Sequence, residues 1–212
     1  MPSARTPDRP NVVPWPAGET LWRVSTDPTG LAFSTWTGRL NRFSPLYRPD
    51  GSVVPAWYGG TTEAGALFES VFHDIRPRDI APRVLPNAYA NRLLVPLETA
   101  RDLELVDLTS LGLHAIGLDR KRLIETTSSR YPWTIGIAER LLAGAPAADG
   151  FAWVSRAHDT SRAVVLYAEP GRGPMLRPHP TLLPMALGLG PGLELLRELA
   201  VKARITLVVP GA

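Results

Sequence analysis

Apolar and polar residues alternate through GETLWRVS at 18–25, the two-residue period of a half-buried strand. From Asp27 to Asp50 that rhythm dissolves into Gly, Pro and Thr, which predicts a long irregular loop of the kind that carries function. A short strand is expected at Ala56–Tyr58. The period then changes: Ala64, Leu67, Phe68, Val71 and Phe72 fall on one stripe at ~100° per residue, a helix running to Asp74. Thr61 or Thr62 can cap its start, and Glu63 suits the positive end of its dipole. Glu69 lies off the stripe, one turn before His73.

Tyr89–Leu97 and Leu103–Leu108 read as strands, the second entering a loop at Thr109. Helices are expected at Asp119–Thr126 and at Pro132–Ala143, where Ile135, Ala138, Leu141 and Leu142 supply the apolar face. Gly144–Gly150 breaks the pattern. Phe151–Ser155 and Ala163–Ala168 form a strand pair turned by RAHDTSR. Gly192–Ala203 is a helix and ITLVV at 205–209 a last strand. Strands and short helices mix without a βαβ rhythm or a repeat, which predicts an α+β fold.

Composition narrows the picture. With 212 residues, 44% hydrophobic and 20% charged, the chain suits one globular domain over 19–212, preceded by a Pro-rich arm at 1–18. Zero cysteines exclude disulfides and thiolate chemistry. Neither a secretory apolar segment nor a run of ~18–20 apolar residues is present, so a cytoplasmic protein without a membrane partner is expected. Net charge is only +3, and the main basic run, Arg120-Lys121-Arg122, is flanked by Asp119 and Glu125. It reads as a solvated helix face, and no direct nucleic-acid partner is expected.

Several chemistries drop out. The four histidines are scattered, so no metal site is expected, and there is neither a G-x-S-x-G elbow nor a Walker loop. In Gly188–Gly192 the third glycine of a phosphate loop falls on Leu193, leaving a helix entry. What remains must act by positioning and electrostatics. The residues to weigh are Arg23, Arg39, Arg42, Tyr58, Glu69, Thr134 and Ser155. Arg23 is either an edge-strand arginine or a fork for phosphate oxygens. Tyr58 is either core or a ring stacked on a flat ligand, with Gly59 and Gly60 permitting close backbone approach. Glu69 is either a surface partner of His73 or an acid beside a gap at Gly65 that admits a ligand.

The order of these pieces resembles the RES domain family, the toxin halves of bacterial toxin–antitoxin pairs. LWRV at 21–24, RFSPLY at 42–47, YGGTTEAGALFESVFHD at 58–74 and GFAWVSR at 150–156 carry the resemblance, which spans Leu21–Ala168. It implies a compact fold like the ADP-ribosyltransferases, two small mixed or antiparallel sheets flanked by helices. It also implies cleavage of the nicotinamide–ribose bond of NAD, as substrate rather than cofactor, with water or phosphate as acceptor and growth arrest as the result. A macromolecular acceptor and a non-catalytic binding module are the alternatives. The implied partner is an antitoxin with a helix-turn-helix DNA-binding domain, in a homodimer or a larger toxin–antitoxin assembly. By matching position, Glu69, Arg23 and Ser155 are the expected catalytic residues. Arg23, Arg39, Arg42, Tyr58, Thr134 and Ser155 are expected to bind NAD. Val24 departs from members with tyrosine there, and residues 169–212 extend past the motifs with no assigned role.

Overall fold

The structure, a computed structural model, describes residues 9–75 and 79–209. It opens with β1 (Val12–Trp15) and β2 (Thr20–Ser25); the long loop that follows contains only β3 (Leu46–Tyr47), which pairs with β4 (Val53–Val54). Next come β5 (Ala56–Gly60), α1 (Glu63–Phe68), β6 (Arg83–Val84), β7 (Leu93–Thr99) and β8 (Leu103–Asp107). Three helices follow, α2 (Ser110–Ala115), α3 (Arg120–Leu123) and α4 (Tyr131–Gly144), and then β9 (Gly150–Val154) and β10 (Arg162–Tyr167). The C-terminal part adds β11 (Leu176–Pro178), β12 (Met185–Ala186), α5 (Gly190–Lys202) and β13 (Thr206–Leu207).

The main sheet runs β1-β8-β9-β10-β5-β2-β7-β11, with β12 also on β7. Every pairing is antiparallel except β8 with β9. The two small sheets expected from the sequence are therefore halves of one sheet, joined where β2 meets β5 through the single register pair Trp22↔Gly60. Strands that diverge beyond one pair leave a cleft between them, and the functional residues gather there. Part of the expected arm is sheet: β1 lies along β8 with Pro14 opposite Glu104. Proline is tolerated because β1 is an edge strand, with no further neighbour to receive its missing N–H. The first eight residues of that arm lie outside the described residues.

Three apolar clusters hold the halves together. Ile137, Ala138 and Leu141 of α4 cover one face of the β8–β9–β10 half, against Val106, Phe151 and Val165. Leu67 of α1 and Leu196 of α5 pack with Leu94 of β7. The opposite face is sealed by Leu21, Trp57, Leu97, Leu105 and Leu166. Burying each such side chain stabilises the fold by about 1.5–3 kcal/mol. At the start of β9 the buried carboxylate of Asp149 accepts a two-pronged bond from Arg101, at 2.9 and 2.6 Å, and another from the backbone N–H of Glu104.

Helix α1 is shorter than the apolar stripe suggests. Thr62 caps it by accepting from the Gly65 N–H at 2.9 Å. It ends at Phe68 because the Leu67 carbonyl receives the N–H groups of Ser70, Val71 and Phe72 in tightening turns, while the Ser70 hydroxyl bonds back to the Ala66 carbonyl. Helix α2 occupies what the sequence reads as loop; the Asp107 carboxylate takes both the N–H and the hydroxyl of Thr109 just before it.

Candidate active site

Glu69 caps the C-terminal end of α1, its N–H still bonded to the Gly65 carbonyl, and its side chain reaches the turn that follows β9. Its Oε1 accepts the Ser155 hydroxyl at 2.6 Å and the Arg156 N–H at 3.1 Å. The Ser155 hydroxyl itself accepts the N–H groups of Ala157 and His158, each at 3.1 Å. A carboxylate bonded to a group that is bonded in turn has little rotational freedom. The expected i, i+4 pair with His73 does not form; His73 bonds to Asp74 instead.

The acid faces a cavity of about 270 Å³ at the β2/β5 cleft, which Arg23, Arg42, Tyr58, His73 and Tyr131 also line. Arg42 is the unusual member. It is only 6% exposed, and its Nε and Nη2 have no hydrogen-bond partner among the described residues. Burial holds its pKa below the ordinary arginine value, against the opposing pull of Tyr131 and Glu69, yet a guanidinium stays charged in proteins. Its ring-face contact is Tyr131, 5.9 Å from the guanidinium carbon to the ring centre. The backbone beneath it is fixed on both sides. Thr134 donates to the Arg42 carbonyl and Tyr167 donates to the Phe43 carbonyl at 2.7 Å, while the Phe43 ring packs edge-on against Phe151 and Trp153.

Arg23 reaches the same cavity but is partly committed. Its Nη1 donates to the carbonyls of Gly30 and Ala32, and it lies 5.5 Å over the Trp57 ring. Burial lowers its pKa, with Asp27 pulling the other way. That Trp57 ring crosses Gly59, where an added Cβ would stand 2.2 Å from it. Gly59 thus admits a protein ring rather than a ligand. Gly65 behaves alike: a Cβ there would meet the Ser161 hydroxyl at 2.2 Å, so the gap expected beside the acid is already filled. The Tyr58 hydroxyl shares a 3.0 Å bond with Ser44, and burial pushes its pKa up to about 12 despite that bond. It is therefore a neutral hydrogen-bonding group, not a base.

Three expected substrate contacts fall elsewhere. Ser155 is 0% exposed, and its hydroxyl donates to Glu69 rather than pointing into the cavity. Thr134 is likewise 0% exposed and holds the Arg42 backbone. Arg39 lies outside the small cavity, its side chain 63% exposed and 4.0 Å from Asp74. It borders a second, wider cavity of about 870 Å³, which meets the first at His73 and Tyr131 and is also lined by Arg156.

Sequence reasoning gave no site role to Arg156, His73, Tyr131 or Arg120. The first two stand inside the motif blocks that carry the family resemblance, and their position there was the available signal. Tyr131 comes to the site only through the fold. Arg120, part of the run expected to be a solvated helix face, donates to the carbonyls of Val154 and Ser155 at 3.0 and 2.9 Å and steadies the turn that holds Glu69. Among the described residues, no group of three or more His, Cys, Asp or Glu could hold a metal ion, and no helix is long and apolar enough to cross a membrane.

Comparison with known proteins adds two findings. A chain in the crystal structure of the M. tuberculosis MbcT–MbcA toxin–antitoxin complex superposes with a TM-score of 0.53 at 16% identity, covering 90% of this chain and 92% of that one. At that identity the likeness is one of fold, and it bears out the α+β architecture expected. No curated protein matches the chain. The RES domain, by contrast, matches residues 20–183, a span that contains Arg23, Arg42, Tyr58, Glu69 and Ser155; the chain belongs to the RES domain family.

Proposed function

We propose that the protein is the toxin of a toxin–antitoxin pair and acts by cleaving the nicotinamide–ribose bond of NAD, with water or phosphate as acceptor. The observation that carries this reading is a fixed carboxylate, Glu69, sharing a cavity with the unpartnered, buried guanidinium of Arg42. A buried cation without an anion is costly unless a ligand supplies one, and a diphosphate does. Bond cleavage leaves positive charge on the ribosyl carbon, as in glycoside hydrolysis, and a preorganised carboxylate favours that transition state over the ground state.

The roles then follow. Arg42, with the uncommitted part of Arg23, receives the diphosphate. Glu69 stabilises the ribosyl cation, and Tyr58 packs against the nicotinamide end. Ser155 and the Arg156 N–H hold Glu69 in place, and Thr134 holds the segment bearing Arg42. Nicotinamide departs as a neutral ring, so departure needs no general acid. The small cavity suits one nucleotide half, and the wider one beyond His73 and Tyr131 has room for the other. A non-catalytic module has no use for an open cavity with a tethered acid in it.

The test is release of free nicotinamide from NAD by purified protein, wild type against Glu69→Gln. Loss of one preorganised group of this kind costs ~10²–10³ in rate. A wild type that releases none, or a Gln variant that equals it, sinks the reading. Transfer to a macromolecule is the second reading, favoured by the width of the adjoining cavity, and labelled NAD in cell extract distinguishes it. The partner proposed is an antitoxin with a helix-turn-helix domain, and growth arrest on expression, relieved by that partner, is the expected phenotype.

A further inference from the structure

His73, like Tyr131, borders both cavities, the small one with Glu69 and the wide one beyond it. Its Nδ1 lies 3.0 Å from Asp74 Oδ1. An ionised carboxylate only accepts, so Nδ1 carries the proton and Nε2 of the neutral ring keeps its lone pair. The side chain is 31% exposed, shielded but within reach of solvent entering through the wide cavity. The departing nicotinamide has no use for this group, and Glu69 is occupied with the cation.

Resting on the proposed NAD cleavage, we propose that His73, oriented by Asp74, is the general base that activates the acceptor water. In that step the water oxygen forms the bond to the ribosyl carbon while the carbon–nitrogen bond breaks. The electron pair of the broken bond stays on the nicotinamide nitrogen, and the water proton passes to His73 Nε2 and then to solvent. No oxidant, metal or further reactant is required. The arrangement also divides the labour: Glu69 never has to exchange a proton, so one group manages charge and another manages protons.

The charged surroundings fit. Asp74, which holds the ring through Nδ1, also lies 4.0 Å from Arg39. Glu69 and Arg42 line the small cavity along with His73; Asp79 and Arg204 border the wide one.

The experiment follows nicotinamide release in phosphate-free buffer, with and without azide at constant ionic strength. Azide is an anionic nucleophile that needs no deprotonation. His73→Gln is expected to lose about ten- to a hundredfold of the water-dependent rate and to recover most of it with azide, whereas Glu69→Gln is expected to gain nothing. Equal water rates for His73→Gln and wild type overturn the proposal, as does a loss that azide does not restore. Asp74→Ala supplies a second arm at a side chain 82% exposed, where folding is safe. Without the oxygen that fixes the ring, it is expected to lose part of the water-dependent rate and to recover it with azide; a water rate equal to wild type also overturns the proposal. A wild type inactive in every buffer marks failure of the NAD-cleavage reading itself, a different result from an active His73→Gln.

Discussion

Replacing Arg42 with methionine separates stability from function, because the same guanidinium is a burden to the fold and, in the proposed reaction, the receptor for the diphosphate. In the folded chain it is 6% exposed with two N–H-bearing nitrogens unpartnered. Each unsatisfied buried donor costs about 1–3 kcal/mol, so removing both relieves ~2–6 kcal/mol. Against this stands the lost contact with the Tyr131 ring, 5.9 Å away, at about 0.5–2 kcal/mol, and some loss of packing. The net expectation is a stabilisation of about 1–3 kcal/mol, which for a domain of this size raises the melting temperature by roughly 2–12 °C. NAD cleavage should fall at the same time. Scanning calorimetry and nicotinamide release on the same samples check both. In a Glu69→Gln background that does not consume NAD, a hundredfold excess over Kd is expected to stabilise by about 2.7 kcal/mol, and Arg42→Met should remove most of that gain. An Arg42→Met protein that melts no higher than wild type and cleaves NAD as fast would refute the idea of a cation kept waiting for an anion.

Ser155→Ala removes one of two bonds to Glu69; a hydrogen bond to a charged group contributes about 1.5–3 kcal/mol, so kcat should fall roughly 10- to 100-fold with little change in KM. Steady-state kinetics decide it, and a rise in KM alone would make Ser155 a substrate contact after all. Asp149→Asn breaks a buried pair, with the carboxylate 4% and Arg101 32% exposed; urea unfolding should show a loss of about 2–4 kcal/mol, discounted for the arginine's exposure. Burial pushes the Asp149 carboxyl up, but Arg101, the Glu104 N–H and Arg172 together hold it below the usual range. A depressed folded pKa means the stabilisation is present above the unfolded value of ~3.9 and lost as pH falls through the folded one. Wild type should therefore lose its advantage over Asp149→Asn in acid, which the same unfolding curves at descending pH will reveal.

Long periodic segments were legible from the chain alone. The stripe of α4 and the strand β2 both appear where the pattern puts them, α4 burying one face and β2 burying Leu21 and Trp22 on opposite faces of the sheet. Less regular elements were hidden by local chemistry. β1 contains a proline that argues against a strand everywhere except at an edge, and β11 and β12 lie in a stretch dense with Pro and Gly. The end of α1 was masked because the apolar spacing continues through Phe72 after the hydrogen-bond ladder has stopped. For the site, residue types and order pointed to Glu69, Arg42 and Arg23. What they could not convey is who touches whom. Ser155 and Thr134 carry hydroxyls suited to binding a sugar, and only the packing reveals that both are spent on protein partners.

The bond from Ser155 to Glu69 joins positions 86 residues apart. During synthesis the acid leaves the ribosome long before the hydroxyl that will orient it. A nascent chain halted anywhere before β9 carries its acid untethered, so it is inert however much of the cavity wall has formed. Under the proposed NAD cleavage, that delay is a safeguard written into chain order.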